Sequence, residues 1–80
     1  MESKLEGEVT LMFLMGGISK AGKPYLQVSN GRKELWINIP KDLQKGMNEN
    51  TFADFSEDDP IVLDVVVTVG SDTVTLVAIR

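Results

Sequence analysis

The chain holds one tyrosine and one tryptophan, and the residues around them are of the types that grip a polyanion carrying flat rings. Lys20 and Lys23 precede Tyr25, Arg32 and Lys33 precede Trp36, and Lys41 follows, with Gln27 and Asn38 interleaved as uncharged hydrogen-bonding groups. An aromatic side chain presents a π-face on which any base can stack, and a nearby ammonium or guanidinium neutralises the phosphate beside it. The same two rings also admit a plainer reading. A cross-strand aromatic pair stabilises a hairpin, and a loop or a second subunit can cover it.

What would bring these groups together is a β-hairpin. Lys23 to Ser29 and Arg32 to Ile39 both alternate, and Asn30-Gly31 lies between them. A two-residue type I′ turn needs φ > 0 at both central positions, which asparagine and glycine tolerate. With that turn Ser29 faces Arg32, Gln27 faces Glu34, Leu26 faces Leu35 and Tyr25 faces Trp36. Opposed residues share a face, so Leu26, Val28, Leu35, Ile37 and Ile39 form a core side. Lys23, Tyr25, Gln27, Arg32, Glu34, Trp36 and Asn38 form the other, polar and cationic with two aromatics in its middle. Lys33 falls on the core side, beside the turn where it can escape to water.

Other chemistries find little support. The chain has no histidine and no cysteine, which removes the usual general base, the commonest metal ligand and every thiolate site. Gly17 to Lys23 matches the spacing of a phosphate-binding P-loop, but Pro24 stands where a serine or threonine should hold magnesium and open a helix. Glu57-Asp58-Asp59 lacks the alternating spacing of a calcium loop and reads as a solvated turn. No other pair of carboxylates falls into an acid/base arrangement. The expectation is a protein that is not an enzyme and needs no cofactor or metal.

The net charge of −4 argues against a nucleic-acid partner until its distribution is considered. Between residues 20 and 45 six cations oppose only Glu34 and Asp42, whereas elsewhere Lys4 and Arg80 oppose ten carboxylates. A basic middle on an acidic body fits an anion-binding face, and fits a merely solvated surface as well. Eighty residues imply one domain, residues 1–80, that buries only about 60–65% of the surface of its unfolded chain. No apolar run approaches the roughly 18 residues of a membrane span, and the acidic start Met1 to Glu6 does not resemble a secretion signal. A cytoplasmic location without membrane contact is expected.

The order of elements suggests the fold. Glu8 to Met15 reads as a first strand, Gly16-Gly17 permit a bulge or bend, and Ser19 to Gly22 make a loop into the hairpin. Lys41 to Asp59 has no β alternation and allows at most a short or irregular helix, with Leu43, Met47, Phe52 and Phe55 for apolar contacts. Pro60 opens a fourth strand, Ile61 to Val69, and Gly70-Ser71 can turn it into a fifth, Thr73 to Ile79. Three meandering strands, a connection and a final hairpin predict an all-β, five-stranded OB-like Greek-key barrel with its short or irregular helix between strands 3 and 4. In the last hairpin Val67 should face Val74, Val65 face Leu76 and Leu63 face Ala78, leaving Val62, Val66, Val77 and Ile79 on the other side. That second apolar face needs a cover, from the 41–59 segment or from another chain, so a homodimer is expected.

The segment Ser19-Lys20-Ala21-Gly22-Lys23-Pro24-Tyr25-Leu26-Gln27-Val28 resembles the approach to the second strand in small bacteriophage single-stranded DNA-binding proteins, including those of filamentous phages. The resemblance covers about an eighth of the chain, and the sequence departs from the family in its net acidity and few aromatics. It implies a dimeric OB barrel that binds single-stranded DNA in replication or recombination of a phage or mobile element, and it bears directly on Lys20, Lys23 and Tyr25. Trp36, Arg32, Lys33, Lys41, Gln27 and Asn38 join the candidate site from the hairpin register and the charge pattern. The competing expectation is a small β-barrel interaction or assembly module, with Tyr25 and Trp36 at the apolar centre of a protein interface.

Overall fold

Period-two alternation produces five strands in the computed structural model, which describes residues 3–70 and 73–80. They are β1 (Lys4–Ile18), β2 (Pro24–Ser29), β3 (Glu34–Trp36), β4 (Pro60–Thr68) and β5 (Thr73–Ile79), with a one-turn helix, α1 (Lys41–Gln44), between β3 and β4. The strands form one antiparallel sheet in the order β3-β2-β1-β4-β5. The long β1 serves both halves, pairing with β4 from Lys4 to Met12 and with β2 from Met12 to Ile18.

The two sheet edges meet at Asn38. Its N–H donates to the Val74 carbonyl and its carbonyl accepts from the Leu76 N–H, both at 2.8 Å, forming a parallel bridge to Thr75. The Asn38 side-chain amide adds a bond to Thr75 Oγ1 at 3.2 Å. The result is an all-β, five-stranded OB-like fold with a tiny helix after strand 3.

A curled sheet this small encloses one row of side chains. Leu26, Val28, Ile61, Leu63, Val65 and Leu76 are fully buried there, joined by Phe13, Ile37 and Ile39. The connection after α1 contributes Phe52, whose ring lies 6.2 Å from Phe13, with Phe55 5.4 Å from the same ring. Burial of a phenylalanine stabilises by about 1.5–3 kcal/mol and helps to hold this irregular segment on the barrel. Phe52 fits because residue 16 is glycine: a Cβ there would stand 2.9 Å from two Phe52 ring atoms. Hydrogen bonds of 2.7 Å, from Phe13 N–H to the Asp59 carbonyl and from Asp58 N–H to the Phe13 carbonyl, tie the end of the segment to β1.

Two bulges alter the expected faces. In β1, Phe13 and Met15 pair with the consecutive residues Val28 and Gln27, so Leu14 is the extra residue. The irregularity precedes the glycine pair that was expected to hold it. In the closing hairpin the expected pairs Val67 with Val74 and Val65 with Leu76 are present, but Leu63 pairs with Ile79 and not with Ala78, because Val77 is inserted. Ile79 therefore packs against the core, and Leu43, Gly46, Met47 and Thr51 border the same end of β5. Of the four residues expected on an uncovered face, Val62 and Val66 are half-buried and only Val77 is exposed, at 38%. The apolar surplus behind the expected dimer shrinks accordingly. Of the turn expected at Gly70-Ser71, Gly70 has φ +96°, while Ser71 lies outside the described residues.

Candidate nucleic-acid interface

The local chemistry of Asn30 sets the geometry of the candidate site. Its side-chain oxygen accepts from the N–H groups of Arg32 and Lys33 at 2.9 and 3.0 Å, and only Gly31 takes a positive φ, +91°. This asparagine-led turn replaces the expected type I′ turn, since an Asn side chain bonding its own backbone offers a competing way to reverse the chain. The loop is therefore longer by two residues. Gln27 pairs with Trp36, Val28 with Leu35 and Ser29 with Glu34, so Tyr25 does not directly face Trp36.

A shift of two keeps every residue on its predicted face, because side chains alternate with that period. Tyr25 and Trp36 become diagonal neighbours, with ring centroids 6.4 Å apart at 62°, edge to face. Trp36 is 62% exposed and Tyr25 half-buried. Across the sheet run three outward rows: Gly17 with Tyr25, then Met15, Gln27 and Trp36, then Met12, Ser29 and Glu34. Gly17 lets the tyrosine lie flat, since a Cβ would come within 3.3 Å of its hydroxyl. Met15 and Met12, exposed at 47% and 37%, extend the apolar surface. Sequence reasoning placed both methionines only in a first strand. The bulge at Leu14, which sets the side on which Met15 emerges, has no local signal beyond the following glycines.

Cations flank this surface at both ends of β2. Lys20 and Lys23 are exposed in the loop before it, where the Ser19 N–H donates to the Lys23 carbonyl at 2.8 Å, the Gly22 N–H donates to the Ser19 carbonyl at 2.9 Å and Gly22 has φ +80°. Arg32 and Lys33 are exposed at the hairpin tip, and Lys41 is exposed at the start of α1, beyond the end of β3. One carboxylate, Glu34, lies on this surface, whereas Glu8 and Asp64 pair across β1 and β4, where Arg80 bridges them at 3.8 and 2.7 Å. The Arg80 guanidinium is held more firmly in its charged form, first by its hydrogen bond to Asp64 and then by that carboxylate's charge.

Two of the predicted hydrogen-bonding residues are engaged within the fold. Gln27 is 8% exposed and its Nε2 donates to Glu34 Oε2 at 3.0 Å, so it supports the surface from beneath Trp36 and Met15. Asn38 is exposed, but its amide and backbone close the barrel against β5. Tyr25 and Trp36 thus lie in the middle of one surface with Lys20 and Lys23 at one end of β2 and Arg32 at the other, while Lys33 stands at the hairpin tip and Lys41 beyond the end of β3. No protein-family model, curated protein or solved structure matches the chain.

Proposed function

We propose that this protein binds single-stranded nucleic acid non-catalytically, DNA being the natural ligand, in replication or recombination of a phage or mobile element. The observation that carries the reading is the exposed Trp36 ring, set edge to face with Tyr25 between two cation-bearing loops. Bases stack on Trp36 and Tyr25, while Lys20 and Lys23 on one side and Arg32 and Lys33 on the other neutralise phosphates. In OB folds the face of strands 2 and 3 and the loop between strands 1 and 2 are a recurrent nucleic-acid surface, and Lys20, Lys23, Tyr25 and Trp36 lie on those elements. The choice of DNA and of a phage setting rests on the Ser19 to Val28 resemblance. Titration with an unstructured oligonucleotide, followed by Trp36 fluorescence, tests the reading: quenching that saturates supports it, and an unchanged signal with no retention on single-stranded DNA removes it.

One observation favours a protein-interaction module as the second reading. Met12 and Met15 are exposed beside Trp36, and exposed methionines suit adaptable protein interfaces.

A further inference from the structure

We propose that Glu34 makes the stacking surface selective for cytosine over thymine, an inference that rests on the nucleic-acid reading of that surface. Glu34 is the one carboxylate on β3 and stands two residues before Trp36, on the same face of the same strand. Two residues of strand span about 6.6 Å, a distance that one pyrimidine ring stacked on Trp36 and a single hydrogen bond can bridge. The carboxylate is steadied in place. Gln27, itself 8% exposed, donates its Nε2 to Glu34 Oε2 at 3.0 Å, and Glu34 is otherwise exposed.

An anion at this point has two consequences for a bound strand. It repels phosphate, so the backbone keeps toward Lys20 and Lys23 or toward Arg32, and the base edges turn to Glu34. It also accepts hydrogen bonds and donates none, so at ring position 4 it pairs with the N4 amino group of cytosine and opposes the O4 carbonyl of thymine, whose single donor, N3–H, is flanked by two carbonyl oxygens that the carboxylate repels. Gln27 and Asn38 do not duplicate this discrimination, since Gln27 is buried and Asn38 is bonded to Thr75. A surface built only to stack would be better served by an uncharged residue here.

The test compares oligo-dC and oligo-dT of equal length, about a dozen nucleotides, at neutral pH and fixed salt, with the intact protein and its Glu34→Gln variant. Glutamine keeps an oxygen to accept from Gln27, so the fold is preserved, while it loses the charge and adds a donor. The ratio of dC to dT affinity should fall by roughly 2- to 10-fold on substitution, the range of one hydrogen bond at an exposed site, with dT affinity unchanged or raised. An equal ratio in the two proteins, with Trp36 quenched by both oligonucleotides, overturns the role of Glu34 and leaves the stacking surface standing. Absence of binding to either oligonucleotide overturns both.

Discussion

Tyr25 lies over Gly17 across the β1–β2 pairing, so close that a methyl group on the glycine would stand 3.3 Å from the tyrosine hydroxyl. The glycine is part of the candidate surface although it carries no side chain. Gly17→Ala should tilt the Tyr25 ring and change its edge-to-face contact with Trp36 while sparing the core, since the ring can yield outward by a few tenths of an ångström. Single-strand affinity should fall, by less than in Tyr25→Ala, with the thermal midpoint nearly unchanged. A large loss of stability would place the Tyr25 ring in the core.

The neighbouring glycine has the opposite role. Gly16 faces inward, and a Cβ there would meet Phe52 ring atoms at 2.9 Å. Gly16→Ala should overpack the barrel at a cost of about 1–3 kcal/mol, and Phe52→Ala should cost about 3–5 kcal/mol by leaving a cavity against Phe13. Urea denaturation reads both values. Folded Gly16→Ala protein should retain near-normal affinity for single strands, which separates this pair from Gly17 and Tyr25.

On the nucleic-acid reading, removal of the exposed Trp36 ring should affect binding and not folding. Trp36 is 62% exposed, so Trp36→Ala should leave the far-ultraviolet circular dichroism and the urea midpoint close to the parent's. Stacking by one aromatic is worth about 1–3 kcal/mol, and affinity for single strands should therefore drop roughly 5- to 150-fold. Retained affinity in folded Trp36→Ala protein would assign this surface to the protein-interaction reading.

The faces of the hairpin were legible in the sequence while its pairing was not, and the physics of strands explains the difference. Alternation from Leu26 to Ile39 determines which side each residue takes, and this survives a two-residue shift. The shift itself comes from Asn30 Oδ1 bonding Arg32 and Lys33, a choice between turn types that the Asn-Gly dipeptide permits either way. The succession of elements along the chain and the closing hairpin near its turn followed from local patterns too. The bulges at Leu14 and Val77 did not, because each is a property of how two strands pair and not of the alternation within one strand. Gln27 and Asn38 read as outward hydrogen-bonding groups, but the Glu34 bond and the Asn38–Thr75 closure are tertiary facts with no local signature.

Charge gives the last prediction, and its sign separates phosphate contacts from base contacts. For single strands the slope of log affinity against log salt is about −0.7 per neutralised phosphate, so contacts from Lys20, Lys23, Arg32 and one further lysine imply a slope of about −3. Lys20 and Lys23 are exposed in the loop before β2, away from the core, so exchanging both for glutamate should not disturb the barrel. The double exchange should flatten the slope by about 1.4 and weaken oligo-dC and oligo-dT alike, because phosphates carry no sequence information. Duplex DNA should bind less tightly than single strands at every salt concentration, since its bases are stacked on one another and unavailable to Trp36 and Tyr25. A slope unmoved by the double exchange would remove the loop before β2 from the interface and leave Arg32 and Lys33 as its cations.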